Sequence, residues 1–107
     1  MGAAVRYLLV LQFRGDSLAD YDQMITVEDR LIEALGDSAD IDGHDAGSGE
    51  TNIFIFTSDP VGTFRRARPV LQSMDLLEGL TAAFRDVEGD QFTVIWPTGS
   101  TQEFIVA

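Results

Sequence analysis

The chain contains no cysteine and no lysine, only three prolines, one tryptophan and a single histidine, His44. Without cysteine there is no disulfide, no thiolate nucleophile and no zinc site built on sulfur ligands. Without lysine, seven arginines face 18 acidic side chains, for a formal charge of −11 with His44 neutral. A surface so charged repels nucleic acid and anionic membranes. The one local exception, Arg65, Arg66 and Arg68, comes without a nucleic-acid recognition motif, so no nucleic-acid partner is expected. The acidic excess suits solubility or a basic protein partner. No apolar run approaches the roughly 18 residues of a membrane span, and no basic segment followed by an apolar leader opens the chain. The expectation is a soluble, cytoplasmic protein with no transmembrane association.

What is present is enough for one core. At 107 residues, 45% hydrophobic with seven phenylalanines, the chain suits a single domain over residues 1–107. Residues 5–13 read as an interior strand: Val5, Tyr7, Leu9, Leu11 and Phe13 share one face, and Leu8 and Val10 lie on the other. Gly15, Asp16 and Ser17 break it, and Ser17 with Asp20 has capping-box spacing for a helix that runs toward Leu35 and stops at Gly36. The expected buried stripe of that helix is Leu18, Tyr21, Ile25, Leu31, Ile32 and Leu35.

Between residues 37 and 50 the apolar pattern nearly vanishes, leaving room for a short edge strand at residues 40–45 before a strand at 51–57 that carries NIFIF. Asp59 then caps a helix that starts at Pro60, with Phe64, Ala67, Val70 and Leu71 inward and a bend or early end at Pro69. Residues 80–87 suit a helix or a strand, and the strand is favoured because EGDQ can turn it into a β-prone segment at 92–96. The closing EFIVA is an edge strand, a cover for an apolar face or a dimer contact. The order predicts an α+β, ferredoxin-like βαββαβ domain with an additional β element.

One polar stretch, DGHDAGSGETN, places His44, Asp45, Ser48, Glu50 and Asn52 beside the NIFIF strand. His44 is a proton carrier that Asp45 or Glu50 would orient, while Ser48 and Asn52 would contact a polar ligand. Ser48 is the weaker catalytic candidate, because GSGE is not a nucleophile elbow. His44, Asp45 and Glu50 lack a recognised metal-ligand spacing, and the Gly-rich stretch lacks the Lys-Ser/Thr ending of a P-loop, so neither metal nor cofactor is expected. The same residues also serve as an ordinary polar turn, just as Asp59 serves as a cap and the Arg cluster as charge compensation on a solvated helix. Trp96 suits the sheet face or core, or the anchor of a pocket.

The stretch GHDAGSGETNIFIFTSDP, followed by an Arg-containing segment and the Trp96-Pro97-Thr98-Gly99 element, resembles a family of small bacterial proteins across nearly the whole chain. That resemblance implies a compact α+β domain and attaches no activity. Two functional expectations follow. One is a non-catalytic protein-interaction or regulatory domain that self-associates through a sheet edge or the terminal apolar segment, or meets a basic protein. The alternative is a small-molecule hydrolase or isomerase in which His44 moves a proton and Asp45 or Glu50 orients it.

Overall fold

A computed structural model describes residues 6–14, 21–36, 39–47 and 49–97. Its elements run β1 (Tyr7–Arg14), α1 (Tyr21–Leu35), β2 (Ala39–Gly47), β3 (Glu50–Thr57), α2 (Pro60–Ser73), β4 (Leu80–Asp86) and β5 (Thr93–Trp96). The strands form one sheet in the order β2-β3-β1-β4-β5, with every neighbouring pair antiparallel. The first four strands and two helices make the expected ferredoxin-like βαββαβ core, and β5 is the added strand, beside β4.

Strand alternation builds the core. Leu9, Leu11 and Phe13 of β1, Ile53 and Ile55 of β3, and Leu80 and Ala82 of β4 form one cluster with Met24, Val27, Leu31 and Leu35 of α1 and Phe64, Ala67 and Leu71 of α2. Each fully buried Leu or Ile there contributes about 1.5–3 kcal/mol relative to exposure. The alternate residues of β1, Leu8, Val10 and Gln12, are also buried but lie on the face away from the helices.

Two helix expectations need correction. Ile32 is 54% exposed, and α1 packs instead on Met24, Val27, Leu31 and Leu35. Leu31 and Ile32 are 100° apart around a helix, so only one of them can point at the sheet. Leu18 and the Ser17–Asp20 cap lie outside the described residues. Pro69, expected to bend or end α2, is exposed within a helix that continues to Ser73. Its missing donor would have served only the carbonyl of Arg65 on the solvent side, and the last turn holds through Met74 N to Val70 O at 3.2 Å and Leu76 N to Leu71 O at 2.8 Å. The terminal EFIVA also lies outside the described residues. No helix among the described residues is long and apolar enough to cross a membrane.

Candidate functional site

The polar stretch occupies β2, at one edge of the sheet, and its turn into β3. Plain alternation would put His44 on the same side as Asp40 and Asp42. The pairing with β3 shows otherwise: Ile41 faces Ile55, Gly43 faces Phe54, and His44 faces Ile53, so β2 holds one extra residue between Ile41 and Gly43. A bulge of this kind reverses the alternation beyond it. Gly43 takes φ +142°, a backbone conformation that L side chains rarely adopt. The outcome is that His44 joins the helix side of the sheet, while Asp45 pairs with Asn52 on the other side.

On the helix side, His44 Nδ1 lies 3.1 Å from Glu28 Oε2 of α1. Their side chains are 28% and 13% exposed, so the carboxylate is largely shielded and the imidazole is open to solvent on one flank. A pair this open contributes about 0.2–1 kcal/mol to stability, which makes orientation of the ring its more useful product. The carboxylate that meets His44 is thus Glu28, while Asp45 and Glu50 lie on the other side of the sheet. Nothing in the chain's spacing marks Glu28, because it sits 16 residues away on a different element.

On the other side, Gln12 Nε2 donates to Glu50 Oε1 at 3.2 Å and to Asn52 Oδ1 at 3.1 Å. Asp45 stands opposite Asn52, and Arg14 opposite Glu50. Five residues that look like one constellation in the sequence are therefore divided: His44 lies on one face, Asp45, Glu50 and Asn52 lie on the other, and Ser48 is outside the described residues. Gln12 was the missed member. Its signal was a lone amide within the apolar run from Leu8 to Phe13.

Elsewhere the polar residues have structural work. Asp59 caps α2, accepting from Gly62 N at 3.0 Å through Oδ1, and a Cβ at Gly62 would collide with that carboxylate. Thr57 and Thr63 share a buried hydroxyl contact of 2.7 Å that ties β3 to α2. Trp96 packs on Phe64 with ring centroids 5.9 Å apart, and the Arg68 guanidinium lies 4.5 Å from the indole centroid. Arg65 and Arg66 are exposed. Among the described residues no group of three or more His, Asp or Glu side chains is placed to hold a metal ion.

Comparison of the chain with family models, with curated proteins and with solved structures gives no match. The resemblance carried by the GHDAGSGETNIFIFTSDP stretch therefore stands on those residues alone.

Proposed function

We propose that the chain is a small-molecule hydrolase or isomerase that moves a proton through His44, with Glu28 as the orienting carboxylate. The observation that carries this reading is the 3.1 Å contact between His44 Nδ1 and Glu28 Oε2. A carboxylate that accepts from Nδ1 favours the tautomer with its proton there, which makes Nε2 the atom that takes up a proton. Placement on a paired strand and a packed helix keeps the ring's geometry fixed, as proton transfer requires.

The test is turnover of a panel of activated esters, together with solvent deuterium incorporation into carbonyl compounds bearing an α-hydrogen. His44→Ala should lower any parental rate by about 10²–10⁴-fold, with partial recovery on addition of free imidazole. Glu28→Gln should lower it by less. An active parent whose His44→Ala variant is equally active would refute the reading.

A second reading, a self-associating or basic-partner interaction domain, draws on charge placement. The α2 helix carries Arg65, Arg66 and Arg68 with no acidic residue, whereas β2 carries Asp40, Asp42 and Asp45. Sedimentation velocity over a range of concentration and salt distinguishes it: salt-sensitive dimers support it, and a monomer throughout counts against self-association.

A further inference from the structure

We infer that copies of this chain associate head to tail, with the Arg65 and Arg68 flank of α2 in one copy docking on the β2 edge of the next. Such a contact is one form of the self-association described above and rests on that reading.

These arginines do little for their own helix. A cation stabilises a helix from its last turn, and the last turn of α2 has no basic residue. Cations also pair with acids three or four positions away, but α2 contains no acidic residue, so Arg65 and Arg68 are instead like charges one turn apart. Among the described residues neither meets a carboxylate of another element, although the chain has 18 acidic side chains to offer. Charge compensation within the domain is therefore not their role. The Arg68 guanidinium lies 4.5 Å from the Trp96 ring centroid, which holds it at the β5 end of the sheet. Val61, Arg65 and Arg68 fall within roughly 60° of one another around the helix, while Arg66 is turned roughly 100° from Arg65.

The opposite edge of the sheet carries the opposite charge. In the order β2-β3-β1-β4-β5, β2 stands four strand spacings from β5, roughly 19 Å. It exposes Asp40, Asp42 and Asp45, and among the described residues none of them pairs with a cation. Charges and a bulge on an edge strand resist the addition of another strand, which leaves this edge suited to the side of a helix. The exposed apolar groups are divided in the same way. Three large hydrophobic side chains are exposed among the described residues, and two of them lie at these two ends. Val61, 45% exposed, shares the flank of Arg65 and Arg68, and Ile32, 54% exposed, follows Glu28 by one turn on the side of α1 that meets β2.

A second copy is the partner that uses both ends. A basic protein would suit β2 and leave α2 idle, and an acidic one would do the reverse. Between two copies, the Arg65 and Arg68 guanidinium forks meet the aspartates of β2, and Val61 comes to the end that exposes Ile32. The net charge of −11 repels copies at a distance, but at about 0.15 M salt screening acts within about 8 Å, so the charges in direct contact decide. Because the two surfaces lie at opposite ends of the sheet, the contact is heterologous. Each pairing leaves one α2 end and one β2 end unused, so it repeats as a chain where a symmetric dimer would close.

The test is sedimentation velocity of the full chain up to near-millimolar concentration at physiological salt. It includes two variants, each shown to be folded by its NMR spectrum: Arg65→Gln with Arg68→Gln, and Asp40→Asn with Asp42→Asn and Asp45→Asn. The parent should form dimers and then longer species as concentration rises, and each variant alone should associate at least about tenfold more weakly, about 1.4 kcal/mol. Mixed together, the variants should pair one to one and stop, because only one intact α2 end and one intact β2 end remain. In a ¹⁵N-correlated spectrum of the labelled arginine variant, the unlabelled aspartate variant should shift the amides of Ile32 and residues 40–45 and leave those of residues 61–68 in place. A parent that stays monomeric overturns both this contact and the self-association reading. A parent that stops at a dimer, variants that associate undiminished, or mixed variants that fail to pair overturn the head-to-tail contact alone.

Discussion

The two faces of β1 and β3 are built from alternate residues of the same strands, yet they are different materials. Toward the helices, Leu9, Leu11, Phe13, Ile53 and Ile55 form an apolar layer with almost no exposure. Toward the other side, Leu8 and Val10 give way to Gln12, with Glu50 and Asn52 hydrogen-bonded to it from β3. The first face stabilises the domain by burying area, without directional demands. The second depends on donors and acceptors that must be matched one by one. On the helix side the polar groups sit at the margins: Thr57 bonds to Thr63 of α2, and His44 is brought to the sheet edge by the bulge in β2.

That contrast is open to attack first through adjacent residues of one strand. Leu11→Ala removes a fully buried side chain from the core and should destabilise the domain by about 2–5 kcal/mol in urea unfolding. Gln12→Ala, next along the strand, should cost only about 1–3 kcal/mol, from two lost hydrogen bonds and the partners left behind. Equal losses would mean that the two faces do not differ in how they hold the fold.

The bulge itself comes next. Gly43→Ala places a Cβ where nothing lies within 4 Å, so its penalty is conformational and not steric crowding. It should cost about 1–3 kcal/mol, or drive β2 into a register without the bulge. A neutral effect on unfolding, with the β2–β3 pairing unchanged, would show that the bulge does not need glycine.

The smallest effect belongs to His44→Ala. Its contact with Glu28 is partly open to solvent, and the loss should stay below about 1 kcal/mol. A larger loss would make His44 a structural residue and weaken the case for a chemical role.

Much of the fold was legible because it depends on local signals. Alternation in residues 5–13 and 51–57, the glycine stop after Leu35 and the Asp59-Pro60 start of α2 each report on a few adjacent residues, and each corresponds to an element boundary or face. The α1 stripe was read less well, because Leu31 and Ile32 are equally apolar and only the sheet decides between them. The site was legible as a stretch but not as an arrangement. Which face each residue occupies depends on one extra residue in β2, visible only in its register with β3. Glu28 is a surface-type residue in an ordinary helix until β2 brings His44 to it.

The division of the DGHDAGSGETN stretch between the two faces underlies the proposed chemistry of His44, and the single histidine makes it directly measurable. Ring protons of His44 give resonances that no other residue shares. In a NOESY spectrum of the folded chain they should show cross-peaks to the side-chain protons of Glu28 and none to those of Asn52. Cross-peaks to Asn52, with none to Glu28, would place His44 on the other face and contradict the account.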